Sequence, residues 1–226
     1  MAKTRSQTLI KRPSTCEGCP LYTAAKPGFV LDNVAANAEY VIIGETPDSK
    51  EVSESVLLAG KSGFVLKNWI MRVVPSIQVA YEQKRVSVCN ILKCLPPESQ
   101  GKAYPTGATR EQAEKHCSQY LNIGDAKTVI LMGEAPQRYY FAKELEQEDT
   151  VDRALGHSTK GTSGRIGRVY ERDGKRWVFA PLPSAVLKQP ALATHAQEAF
   201  RIATGENKLL APNYLPWDVA VLELCK

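Results

Sequence analysis

The sequence predicts an α/β protein, a three-layer α/β/α sandwich around a central, mostly parallel four-stranded sheet. Two observations carry that expectation. Short, nearly continuous apolar runs recur, among them Tyr40-Val-Ile-Ile-Gly44, Val86-Ser-Val-Cys-Asn90 and Lys127-Thr-Val-Ile-Leu-Met-Gly133, and such runs suit strands covered on both faces. Segments of helical length separate them, and strands alternating with helices call for parallel pairing. The chain has 226 residues, enough for one substantial core. Residues 1–15 are polar and basic and are expected as a flexible arm, with 16–226 as a single domain.

In chain order, Tyr40 to Gly44 opens the sheet, and Glu45-Thr-Pro-Asp48 turns the chain directly after it. Residues 62–74 read as a helix stopped by Pro75, since proline lacks the donor a helix interior needs. The next strand carries Val86, Val88, Ile91 and Leu92 and runs into Lys93-Cys-Leu-Pro-Pro97, whose prolines cannot donate to a ladder. A loop rich in Pro, Gly and Ser covers 96–108. Thr109-Arg-Glu-Gln112 has the spacing of a capping box and opens a helix carrying His116 and Cys117. After the strand ending at Gly133, residues 136–145 read as a helix. Residues 156–168 form a Gly-, Ser- and Thr-rich loop, 169–179 a hairpin turned at Asp173-Gly174, and 191–204 the last helix.

No apolar run approaches the roughly 20 residues of a membrane span, and the N-terminus lacks the apolar stretch of a secretory signal. A cytoplasmic protein with no membrane partner is expected. Disulfides are rare there, so six cysteines point to metal binding or chemistry. A formal net charge of +5 permits a polyanionic partner without demanding one.

Cys16-Glu-Gly-Cys19 lets two thiolates face one ion, and with Cys94 and Cys117 it makes a plausible four-thiolate set. A redox dithiol would sit at a helix start after a strand, whereas this pair precedes the first strand. Widely spaced thiolates suit a [4Fe–4S] cluster or a structural zinc, and spacing does not choose between them. Cys89 alternates within a strand and Cys225 is penultimate; both read as non-ligands. His116 is either a substitute ligand or a helix-surface histidine.

Parallel α/β sheets place ligands beyond the carboxyl ends of their strands. Residues 44–48, 90–97, 133–134 and 181–184 fall there. Asn90 is an amide inside an apolar run, able to offer a donor and an acceptor side by side, as a pyrimidine edge requires. Neither a dinucleotide fingerprint nor a phosphate-loop motif occurs.

From Cys16 to about Pro190 the chain resembles the uracil-DNA glycosylase superfamily, and within it the iron–sulfur branch called family 4. The carriers are Cys16-x-x-Cys19, Val41-Ile-Ile-Gly-Glu-Thr-Pro47, Cys89-Asn-Ile-Leu-Lys-Cys-Leu-Pro-Pro97, Cys117, Val129-Ile-Leu-Met-Gly133 and Ala180-Pro-Leu-Pro-Ser-Ala-Val-Leu187. The resemblance implies a [4Fe–4S] cluster on Cys16, Cys19, Cys94 and Cys117, in preference to zinc. It implies an enzyme that extrudes a base from DNA and hydrolyses its N-glycosidic bond, leaving an abasic site. Asn90 matches the edge reader, and Gly44, Glu45, Thr46 and Pro47 match the pocket-forming turn.

Three positions depart from the family pattern. Leu58 stands where an aromatic wall is usual, making the pocket wider. Leu182 replaces the histidine of a His-Pro-Ser motif, so the usual donor to the departing base is missing. Asp48 occupies a turn position usually held by Gly or Ala, where it either activates a water or merely accepts a local backbone N–H. The expected catalytic set is therefore Asp48, Glu45 and Asn90, with Leu58 and Leu182 completing the base pocket. Ser184, Lys160, Arg165 and Arg168 are expected to contact DNA, and His157 is a conceivable replacement donor. Function follows as release of a non-standard, bulky modified pyrimidine by a monomer acting on DNA with an extruded base. The alternatives are a catalytically silent DNA-binding relative and a cluster-stabilised binding module without DNA affinity.

Overall fold

The computed structural model describes residues 10–97, 104–154 and 165–206. Five strands form one sheet: β1 (Tyr40–Gly44), β2 (Val86–Asn90), β3 (Thr128–Met132), β4 (Val169–Arg172) and β5 (Lys175–Ala180), in the order β2-β1-β3-β5-β4. The first four in that order are parallel, with Gly44 opposite Asn90, Tyr40 opposite Thr128 and Met132 opposite Ala180. β4 pairs antiparallel with β5 and makes the sheet mixed. The expectation of four strands is thus corrected to five. Both arms of the hairpin join the sheet, because Asp173 and Gly174 take the two positive-φ positions of a tight turn (φ 54° and 68°) that matches strand twist.

Eight α-helices are described: α1 (Leu21–Ala24), α2 (Ser49–Glu54), α3 (Lys61–Val65), α4 (Pro75–Glu82), α5 (Gly107–Ser118), α6 (Glu134–Ala154), α7 (Pro183–Lys188) and α8 (Leu192–Thr204). Two-residue alternation sends successive strand side chains to opposite layers. Ile42, Ile130 and Val178 pack with α4, α8 and the helical run from Val65 to Val74. Val41, Ile43, Val129, Leu131, Trp177 and Phe179 pack with Leu21, Ala113, Cys117, Phe141 and Leu145. Burial on both faces is why these strands read as continuous apolar runs rather than as alternating ones.

Several local expectations change. The helix expected over 62–74 is a composite, α3 continuing as a π turn (Leu66–Ile70) and a 3₁₀ turn (Met71–Val73). Pro75 does not simply stop it but opens α4 at its first position, where the missing N–H has no helical partner to lose. α5 begins at Gly107 with Thr106 as its N-cap and no side-chain cap bond, so the capping box expected at Thr109 does not form. α6 is longer than expected and broken at Phe141 (φ −130°, ψ 31°). Residues 10–15, expected within a flexible arm, are tied down. Arg12 donates to the carbonyls of Ala25 (2.9 Å), Leu21, Tyr22 and Lys26.

The sheet order places a switch point between β1 and β3: the chain leaves β1 toward β2 and then crosses back to β3. Segments that diverge at such a point leave a crevice at the carboxyl edge. Glu45 follows β1 there and Gly133 follows β3.

Candidate active site

Beyond the carboxyl ends of β1, β2 and β3 lies a cavity of about 70 Å³ whose walls include Gly44, Glu45, Thr46, Glu51, Leu58, Asn90, Leu182 and Ser184. Six of the seven residues expected to bind a base are therefore brought together. The seventh, Pro47, is buried beside them. Asn90 reaches this point because β2 ends opposite Gly44, and Gly44 is needed there: a Cβ would collide with Asn90 Oδ1. The backbone stays paired past the strands, with Ile91 N donating to Gly44 O (2.9 Å) and Leu92 N to Glu45 O (3.0 Å).

Glu45 and Leu182 crowd the same point. A Cβ on Gly133 would lie 2.6 Å from both Glu45 Oε1 and Leu182 Cγ, and Gly133 has φ +90°, so glycine is required twice over. Glu45 Oε1 accepts from Ala135 N (3.2 Å) at the start of α6. Burial pushes the Glu45 carboxyl above its usual range, opposed by the Ala135 and Glu134 backbone donors, with the Glu134 charge adding to the rise. The Leu182 side chain presents only carbon to the cavity, an apolar wall beside the Glu45 carboxylate.

Asp48 is placed elsewhere in the chemistry. It is the N-cap of α2, and Oδ1 accepts from Lys50 N (2.8 Å) and Glu51 N (2.9 Å). Glu51 closes the box by accepting from Asp48 N (2.8 Å). Asp48 is not among the residues lining the cavity. These bonds match the local alternative expected for Asp48, a carboxylate oxygen accepting the orphan N–H groups of a helix start.

Sequence reasoning missed Glu51, which is 5% exposed. Its Oε1 accepts from Leu58 N (2.6 Å), and Lys67 Nζ donates to Leu58 O (3.1 Å). These bonds hold Leu58 at φ +62°, a conformation that a γ-branched residue rarely adopts, so the wall residue is clamped in a strained backbone state. The Asp48-x-x-Glu51 spacing is the signal that would have found it. The cavity is also smaller than the widening expected from Leu58, below the roughly 300–1,000 Å³ of small-molecule sites.

A second cavity of about 450 Å³ opens on the other side of Glu45, lined by Tyr104, Arg110, Glu114, Glu134 and Arg138 among others. Glu45 is the residue common to both.

Behind Asn90 sits an ion pair that the sequence did not announce. Lys93 Nζ meets both Asp32 oxygens at 2.8 Å, with side chains 1% and 5% exposed. Lys93 Nζ also donates to Asn90 O, while the Asn90 N–H donates to Asp32. Both peptide groups of Asn90 are thereby held by one buried pair.

Cys16, Cys19, Cys94 and Cys117 line one small cavity with Lys93 and His116, and none is in a disulfide. Burial pushes the Cys94 thiol up to about 12 and Cys117 to about 11, each raised further by neighbouring cysteines. Among the described residues no group of three or more His, Cys, Asp or Glu side chains is arranged to hold a metal ion. Cys89 points into the core layer beside Ile91 and Leu131. His116 lies with Nδ1 3.3 Å from the Thr15 carbonyl.

Of the residues expected to contact DNA, Ser184 lines the cavity beyond β1, β2 and β3. Arg165 is 5% exposed and so is not a surface phosphate contact; Arg168 is half-buried and its side chain bonds Tyr170. Lys160, His157 and Cys225 lie outside the described residues. Among the described residues, no helix is long and apolar enough to cross a membrane.

The fold is an α/β sandwich with a cavity at the switch point of its sheet, where the Asn90 amide and the Glu45 carboxylate meet apolar walls. The family model for the uracil DNA glycosylase superfamily matches residues 31–204, most of the chain. The chain belongs to that superfamily, and its function is DNA glycosylase-like, hydrolytic and directed at DNA. The match begins after Cys16 and Cys19 and includes Cys94 and Cys117. No individual curated protein matches the chain.

Proposed function

We propose that this protein is a DNA glycosylase that releases a non-standard, substituted pyrimidine and leaves an abasic site. The observation that carries the reading is the convergence of Asn90, Glu45, Leu58 and Leu182 on one cavity at the switch point. Asn90 reads the base edge. The N-glycosidic bond breaks with its electron pair leaving on the base, and a water captures the cationic sugar. Glu45, rather than Asp48, is the carboxylate placed to stabilise that cation and accept the water's proton. With Leu182 unable to donate, catalysis depends on a base that leaves more readily than uracil.

The same reading places the chain in the iron–sulfur branch. What supports the cluster is that the four cysteines line one small cavity and form no disulfide. When bound, the cluster supplies a structural crosslink between the N-terminal segment, the loop after β2 and α5. Stoichiometric iron and sulfide with a visible absorbance band is the expected assay result; stoichiometric zinc in a colourless protein overturns it.

Leu182 also favours a second reading, a silent relative that binds DNA without cleaving it. Base release from a panel of DNAs separates the two. The panel holds uracil, hypoxanthine, oxidised pyrimidines, and hydroxymethylated and glycosylated cytosines, scored by strand cleavage at abasic sites. Release of a substituted base but not uracil supports the proposal. Robust uracil release refutes the substrate shift, and no release with DNA binding intact supports the silent relative.

A further inference from the structure

We infer that the second cavity, across Glu45 from the base site, receives a neutral, hydroxyl-rich substituent of the extruded base, of the size of one sugar ring. This rests on the glycosylase reading and names its substrate class. The base cavity is about 70 Å³ and has no room for a large substituent, whereas the neighbouring cavity is about 450 Å³ and shares Glu45 with it. That volume lies within the range of small-molecule sites, roughly 300–1,000 Å³.

The lining chemistry selects the substituent. Glu134 is paired with Arg138 (2.7 Å), and Glu114 accepts the Tyr104 hydroxyl (3.0 Å). Arg110 lines the same wall, with its Nε 3.9 Å from Glu114 Oε1. Three carboxylates, Glu45, Glu114 and Glu134, disfavour an anionic group, and Glu114 and Glu134 already face Arg110 and Arg138, so no cationic group is needed to balance them. A plain alkyl group would pair with none of these polar side chains. Hydroxyls, each both donor and acceptor, match a wall of alternating acceptors and donors.

The test compares duplexes carrying 5-hydroxymethylcytosine with duplexes carrying its glucosylated form, for the wild type, Arg110→Met and Tyr104→Phe. Neither variant touches the base cavity. Release of the glucosylated base is expected at least tenfold faster than release of the hydroxymethylated one. Each variant is expected to reduce the first about tenfold and to change the second less than twofold. Equal rates in the wild type, or equal losses on both substrates, overturn the inference. If no base is released, the glycosylase reading has failed, and fluorescence anisotropy on the same duplexes decides this inference separately. A glucose-dependent gain in affinity that both variants lose sustains it; equal affinities overturn it.

Discussion

Replacing Lys93 by methionine removes the ammonium that neutralises Asp32 and anchors Asn90. The pair is at 2.8 Å with both side chains almost fully buried. At an effective dielectric constant of about 20, charges at that separation attract by about 6 kcal/mol, most of it offset by the desolvation of both ions. Removing one partner leaves the other charge buried and uncompensated, which costs roughly 3–5 kcal/mol. For a chain of this size 1 kcal/mol corresponds to about 2–4 °C, so Lys93→Met is expected to lower the melting temperature by about 6–20 °C. Urea unfolding at pH 7 gives the free energy directly. The double variant Lys93→Met with Asp32→Leu, an apolar replacement of both partners, is expected to recover most of that stability while base release stays impaired, because Asn90 has lost both of its peptide tethers. A loss below about 1 kcal/mol in the single variant, or a double variant with wild-type base release, would refute the reasoning.

Three further outcomes follow from the same geometry. Asp48→Ala removes a helix cap and is expected to lower stability by about 0.5–2 kcal/mol, measured by urea unfolding, with base release per folded molecule unchanged; a hundredfold loss of rate would return Asp48 to the reaction. Leu182→His restores a donor beside Glu45 and is expected to raise uracil release by about 10²-fold, the scale of a single oxyanion donor, measured by abasic-site cleavage. Glu45 acts ionised and its carboxyl is raised by burial, so activity is expected to fall as pH drops through that raised value, above the range of an ordinary carboxylate. The stability sign is opposite: a raised folded-state pKa means the folded chain binds the proton more tightly, so stability declines as pH rises through the same window. Glu45→Gln should therefore lose about 10²–10⁴ in rate yet melt higher than the wild type at pH 8, with the advantage shrinking on acidification; a pH-independent rate or a lower melting temperature counts against the assignment.

The sequence by itself determined the layers and the place of the site. Val41 to Ile43 and Val129 to Leu131 are apolar at every position, which only a strand covered on both faces tolerates, and parallel pairing then puts Gly44, Asn90 and Gly133 at one edge. Asn90 was legible because an amide in an apolar strand needs a reason. The hairpin was legible from Asp173-Gly174, although whether both arms join the sheet depended on register with β3. The roles of Asp48 and Glu45 were not legible. Two carboxylates lie three residues apart in one turn, and only the start of α2 decided which one caps and which one faces the cavity. Lys93 and Asp32 stand 61 residues apart, with no local pattern linking them. Their pairing exists because the loop before β1 folds back along β2. The second cavity was equally invisible, since it is made by the openings of α5 and α6 converging on Glu45. Local pattern fixes which faces are apolar, because burial acts residue by residue; which polar groups meet is set by how distant segments pack, and that belongs to the tertiary structure.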